Sequence, residues 1–300
     1  MSERRLDLPE RYDLPRTLAN LRLLGGDPTV LFDGRSAWFA TRTPDGPGTL
    51  HLQRDGQVLT ATGYGPGGSW LVERADAIAG LRDSVAGFAE LARRHPLVAR
   101  LAHQYAGVRF PATGRVFHHV VPAVIGQKVT GKEAYHSYVR VLRHFAEPAP
   151  GPNDKVRLPP DPTAVAGTPY WAFHPYGLEQ KRADTLRRAA AEAATLESAG
   201  DSAQTTRRLT AIAGIGVWTA AEVVRAAHGD PDAVSVGDYH IKNTVSYALA
   251  GEPRGTDERM LELLEPFAGH RGRVCRLFEV AGIGAPRYGP RMPVRSYAKF

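Results

Sequence analysis

A single cysteine, Cys275, stands among 300 residues, which excludes an internal disulfide and any cysteine-ligated zinc or iron–sulfur centre within one chain. Such scarcity fits a reducing cytoplasm. The 11 histidines fall in no metal-ligand spacing with carboxylates. His118 and His119 are neighbours on an expected helix, where adjacent side chains point to different faces and make a poor chelate. No metal is therefore expected for the chemistry. No uninterrupted apolar run reaches membrane-spanning length, so a soluble protein without membrane contact is expected. Met1 to Arg11 is charged and lacks an apolar core, so no signal peptide is expected. Acidic residues are outnumbered, 31 against 38 Lys and Arg, for a net charge of +7. That surplus makes an anionic partner plausible without naming one.

The first 80 or so residues differ in texture from the rest. Segments 29–32, 36–42, 49–54 and 57–62 are rich in β-branched and aromatic residues. Asp33-Gly34, Pro44-Asp45-Gly46 and Asp55-Gly56 separate them, which is hairpin punctuation. An antiparallel sheet follows, with helices near 16–24 and 70–80 packed on one face. After Asp83 helical periodicity takes over, with candidates at 85–94, 114–128, 131–145, 178–196, 202–213, 217–228, 238–249, 256–264 and 271–281. Asp201-Ser202, Asp238 and Thr256-Asp257 supply helix starts. The Pro-rich segment 148–162 reads as a linker between helices. The chain is thus expected to be α+β: a sheet domain over 1–84, a helical core over 85–284 and a basic tail over 285–300.

One stretch carries most of the chemistry: Leu209-Thr210-Ala211-Ile212-Ala213-Gly214-Ile215-Gly216-Val217-Trp218-Thr219-Ala220. An apolar helix runs into a Gly-Ile-Gly hairpin and a second helix starts at once. Leu209 and Ile212 on the first helix, with Ala220, Val223 and Val224 on the second, hold the pair together. Such a hairpin exposes consecutive backbone N–H groups beside a helix N-terminus, where unpaired amides and the dipole favour an anion. Glycines there permit positive φ and close approach of a phosphate. Gly-x-Gly alone also fits an ordinary tight helix–helix turn. About twenty residues on, Val236-Gly237-Asp238-Tyr239-His240-Ile241-Lys242 puts one carboxylate at the mouth of another helix. Taken alone, Asp238 reads as an N-cap.

With Leu and Ile at fixed offsets before it and Trp-Thr-Ala after it, the hairpin resembles that of the helix–hairpin–helix DNA glycosylase superfamily. Two further segments resemble the same family. Arg109-Phe110-Pro111 with Val124-Ile125-Gly126-Gln127-Lys128-Val129-Thr130 matches its approach to the catalytic domain. Pro266-Phe267-Ala268-Gly269-His270-Arg271-Gly272-Arg273 matches its Pro-x-Arg segment before the last core helix. The resemblance covers residues 108–282 well and implies two helical lobes with a cleft between them. It places the catalytic aspartate at Asp238, and the cap and catalytic roles can coexist because backbone donors keep a carboxylate ionised. Gly214, Ile215, Gly216 and Thr219 would grip DNA phosphate, and the resemblance allows a monovalent cation on the hairpin carbonyls. No cofactor is required for the reaction.

Relatives that also cut the DNA backbone carry a Schiff-base lysine just after the hairpin, where this chain has Trp218, and commonly a four-cysteine cluster. Both departures imply a monofunctional enzyme. The sequence is most similar to the alkylbase branch, 3-methyladenine DNA glycosylase II. Trp218 and Tyr239 would then stack on a flipped, electron-poor base, with Tyr170, Trp171 and Phe173 as further wall candidates. Glu222 lies one turn beyond Trp218, where that branch commonly has an aromatic; an acid there puts the substrate range in question. His270 or Arg271 is a further cleft candidate. Gln127 and Lys128 fall where the family inserts residues into the base stack, although Lys128 replaces the expected Leu or Gln and suits a phosphate contact equally. The expected activity is hydrolysis of the N-glycosidic bond of an alkylated base in damaged duplex DNA, as a cytoplasmic, nucleoid-associated monomer. Two alternatives stay open: a non-catalytic helix–hairpin–helix protein that binds DNA or damage, and a glycosylase for oxidised or mismatched bases.

Overall fold

A computed structural model describes residues 2–22, 26–33 and 35–286. The 287–300 part of the expected basic tail, Gly34 of the first turn signal and residues 23–24 of the first expected helix lie outside the described residues.

Alternation of apolar and polar side chains puts one face of each strand on a core. The strands are β1 Ser2–Asp7, β2 Val30–Asp33, β3 Ser36–Thr43, β4 Gly46–Asp55 and β5 Val58–Tyr64, in one antiparallel sheet of order β1-β5-β4-β3-β2. Register pairs Phe39 with Leu50 and Ala37 with Leu52. That face buries against α1 Leu14–Leu18, the 3-10 turn Ala19–Leu21, α2 Gly68–Glu73 and α3 Ala75–Ile78 through Leu18, Leu21, Leu71 and Ile78. Four strands fall close to their expected positions. β1 was not expected, since Ser-Glu-Arg-Arg-Leu-Asp holds one apolar side chain; it joins the sheet at the edge, where β5 supplies its hydrogen bonds. The expected 70–80 helix is two short ones that meet at Arg74.

The other face carries Trp38, stacked on His51 with ring centroids 3.9 Å apart. Here the Pro-rich segment does more than link helices. Pro148 and Arg157 form a β-bridge, and Val156 and Leu158 bury against Trp38 and Ala40. Six prolines and a glycine make that segment a poor helix or sheet former, but a compact cover for exposed sheet.

The rest is helical: α4 Phe88–Ala92, α5 Pro96–Gln104, α6 Val116–Ile125, α7 Gly131–Phe145, α8 Pro162–Gly167, α9 Gln180–Ala191, α10 Ala193–Glu197, α11 Ser202–Thr210, α12 Val217–Ala227, α13 Ile241–Ala250, α14 Asp257–Leu264 and α15 Arg271–Val280. Side-chain caps at Thr130, Asp201 and Thr256 start α7, α11 and α14. The helices form two cores. Residues of α6 to α12 build one around Val120, Val124, Leu186 and Val223. Residues of α4, α5 and α13 to α15 build the other around Val98, Val245, Met260 and Phe278. α5 was missed because Pro96 reads as punctuation and His95 caps nothing with its side chain.

All of α6 is buried, which corrects the expectation that His118 and His119 face apart. With no outward side to that helix, their rings stack at 4.8 Å. His118 bonds Thr29 and Thr41 across to the sheet, each at 3.0 Å, and His119 bonds Thr113 at 2.9 Å. Burial pushes His118 well below the usual imidazole range and His119 down to about 3. Both are therefore neutral in the fold, whereas the unfolded chain protonates them below about pH 6.5. Their contribution is complete above that pH and is lost on acidification, about 1.4 kcal/mol for each by about pH 5.5. Urea midpoints should fall between about pH 7.5 and pH 5.5, before most carboxylates titrate; equal midpoints would contradict neutral burial.

Candidate active site

The hairpin sits where Leu209, Ile212 and Ile215 anchor it in the first helical core. Gly214 adopts φ +100°, and a Cβ there would run into Thr185 Oγ1 of α9, so both backbone and packing require glycine. Gly216 differs: its φ of −107° suits any residue, and a Cβ would meet nothing within 4 Å. Open space therefore faces the hairpin at Gly216, immediately before the first turn of α12, whose N–H groups have no acceptor within the helix. Exposed Val217 projects beside it. Arg188 of α9, absent from the sequence-based candidates, donates to Ala213 O at 2.6 Å and sets a guanidinium on the hairpin's flank. Its i, i+7 relation to Lys181, on the exposed face of a half-buried helix, was the available signal.

Gln127, just past α6, points into this assembly. Its Nε2 donates to Gly214 O at 3.1 Å and to Thr219 Oγ1 at 2.9 Å. Thr219 is buried, so its hydroxyl braces the hairpin from inside. Lys128 is exposed and is the only non-glycine among the described residues with positive φ, at 55°. The two neighbours thus part company: Gln127 is tied down and Lys128 stands out.

Asp238 lies ahead of α13, which begins at Ile241 with His240 rather than Asp238 at its N-cap position, so the carboxylate reaches the helix start from outside. Its Oδ1 accepts from His240 N at 2.7 Å and from Ile241 N at 2.8 Å. Oδ2 faces the other way and accepts from Trp218 Nε1 at 3.3 Å. One oxygen is spent on the helix, while the other points at the indole that follows the hairpin. A Cβ on Gly126 would lie 3.5 Å from the far edge of that same indole. Trp218 therefore bridges three segments singled out from the sequence: the end of α6, the hairpin and the carboxylate. It also spans the two helical cores, since α12 belongs to one and α13 to the other. Tyr239 is 75% exposed beside Asp238.

Other candidates are elsewhere. Glu222 lines no open pocket, contrary to expectation; it is buried, accepts from Ser235 Oγ and pairs with Arg225 at 2.6 Å. Burial pushes its carboxyl up, and Arg225 and Ser235 pull it back. His270 accepts from Arg273 Nε at 3.1 Å and lies against Phe88, 5.1 Å between rings. Arg271 is held by Asp232, which also caps its backbone N–H at 2.9 Å. Phe173 is a core residue stacked on Phe145, Tyr170 packs on the same core and Trp171 is exposed. A cavity of about 360 Å³ between α4, α5 and α15 is lined by Phe88, Phe110 and Leu277, and neither Trp218 nor Asp238 borders it. Among the described residues no group of three or more His, Cys, Asp or Glu could hold a metal ion, and no helix is long and apolar enough to cross a membrane.

No protein-family model and no curated protein matches the chain. Solved structures do match. A 3-methyladenine DNA glycosylase from Archaeoglobus fulgidus superposes with a TM-score of 0.76 at 16% identity, over 92% of this chain and 97% of that one. An 8-oxoguanine glycosylase/lyase from Clostridium acetobutylicum, in its apo form, gives 0.70 at 11% identity, over 93% and 96%. The Schizosaccharomyces pombe 3-methyladenine DNA glycosylase, in complex with abasic DNA, gives 0.53 at 18%, over 66% and 97%. The chain has the fold of the helix–hairpin–helix DNA glycosylases, including the sheet that precedes the helical core.

Proposed function

We propose that this protein is a monofunctional DNA glycosylase that releases an alkylated, cationic base from duplex DNA and leaves an abasic site. The observation that carries the reading is the Trp218–Asp238 contact next to the open Gly216 turn. A phosphate held by the amides at the start of α12 would bring the adjoining nucleotide toward Asp238. Arg188 would add a charge-assisted contact from the side.

The chemistry asks little more of the residues. As the bond between C1′ and the base nitrogen lengthens, positive charge builds on the sugar. A fixed carboxylate stabilises it without reorganising, because His240 and Ile241 N–H groups already hold Asp238 in place. Water then bonds to C1′ and gives its proton to the carboxylate or to solvent. A base already cationic by alkylation departs as a neutral molecule, so no general acid is needed. Trp218 and Tyr239 offer aromatic faces that attract such a base. An indole cannot form a Schiff base, and the nearest lysine in sequence, Lys242, is paired with Asp257 at 3.3 Å. No strand cleavage is therefore expected.

Duplexes carrying one defined lesion each, incubated with protein and then split between alkali and neutral buffer, test this directly. The expected result is release from N3- or N7-alkylpurine sites, with strand breaks only after alkali. Breaks in neutral buffer would contradict the monofunctional assignment. Release confined to 8-oxoguanine or mismatches would move the substrate to the oxidised or mispaired class.

A further inference from the structure

Glu222 is a buried carboxylate with both oxygens committed. One accepts from Ser235 Oγ, and the other pairs with Arg225, whose second nitrogen comes within 3.9 Å of Glu279 on α15. Burying such a pair adds little stability, and apolar residues of similar size would pack α12 as well or better. The charge therefore asks for another explanation. Ser235 supplies it, because its carbonyl accepts the Asp238 N–H at 3.1 Å. A continuous path runs from α12 through Glu222 and Ser235 to the backbone of Asp238. Of the two residues between, Val236 packs on the second helical core, and Gly237 sits at φ +90° with nothing near its missing side chain. Only its N–H is held, by Asp257 Oδ1 at 3.0 Å. Without an external tie, a glycine there would let the turn and its carboxylate swing.

We propose that Glu222 and Ser235 are positioning residues that fix the 235–238 turn against α12 and so keep Asp238 on Trp218. The inference rests on the catalytic role given to Asp238 above. Neither residue touches the substrate; both act on where the carboxylate stands. A displacement of about 1 Å at a reacting group costs on the order of a hundredfold in rate.

The test uses the full chain and two variants, with steady-state base release and hydrogen exchange of the 234–241 segment measured on each. Ser235→Ala removes the hydroxyl while leaving Glu222 paired with Arg225. It should lower kcat about ten- to a hundredfold with KM within about twofold. Exchange of the free protein should quicken in that segment alone. Glu222→Gln keeps an acceptor for Ser235 and should hold kcat within about threefold of wild type. Unchanged kcat in Ser235→Ala, unchanged exchange, or equal losses in both variants would overturn the proposal. If the wild-type protein releases no base from any lesion, the catalytic reading fails, and exchange in Ser235→Ala alone still decides whether the path holds the turn.

Discussion

Asp238→Asn should reduce base release by about a thousandfold or more while DNA affinity stays within about threefold of wild type. The substitution is nearly silent for the fold. Asn caps helices as well as Asp does, and its oxygen can still accept from His240 and Ile241. What disappears is the charge, together with the acceptor for Trp218, since the amide nitrogen meets an indole N–H donor. Binding should not suffer, because a negative charge facing a polyanion has been removed. The measurement pairs single-turnover base release at saturating enzyme with a titration on a lesion-free duplex. Release within tenfold of wild type would sink the catalytic assignment. Tight, lesion-dependent binding by a wild type that releases nothing would favour a damage-binding protein instead.

The hairpin was legible because its information is local: Leu209, Ile212, Gly214 and Gly216 fall within one helix and the turn that ends it. Asp238 was singled out through the family resemblance, and its contact with Trp218 spans 20 residues. The strands were legible for a similar reason, since turn residues bracket alternating runs. What escaped depends on partners far along the sequence. Glu222 was read by its own helical face, but its fate is decided by Ser235, 13 residues on, and by Arg225. His270 was read by its neighbours in a motif, yet Phe88 fixes its ring from another helix. Gln127 was expected to be free for DNA, and its amide is taken up by Gly214 and Thr219, 87 and 92 residues away. The stacked His118–His119 pair is a different case, for the other eight residues of α6 are apolar, a pattern that itself marks a helix buried on every side.

Gly214→Ala should destabilise the protein by about 2–5 kcal/mol and weaken DNA binding beyond what lost stability accounts for. Two independent costs combine. An L-residue at φ +100° carries strain of about 1–2 kcal/mol. The new methyl also enters the space of Thr185 Oγ1 and lies 3.1 Å from both Cβ and Cγ2 of that threonine, an overpacking of about 1–3 kcal/mol. The hairpin can relieve the clash only by moving outward from α9. That motion would draw Ala213 O from Arg188 and Gly214 O from Gln127, so the amides opening α12 lose their alignment. Thr185→Ala in the same chain separates the terms. It removes Oγ1 and Cγ2, keeps the Cβ contact at 3.1 Å and leaves φ as it was, so the double variant should regain most of the packing share and keep the strain. Urea unfolding measures the stability arm and duplex titration at fixed salt measures the binding arm. If the double variant recovers affinity along with packing, the contact with α9 sets the hairpin's aim. Failure to recover any affinity would assign that aim to the backbone angle at Gly214 itself, and wild-type affinity in Gly214→Ala alone would remove the hairpin from the DNA-binding surface.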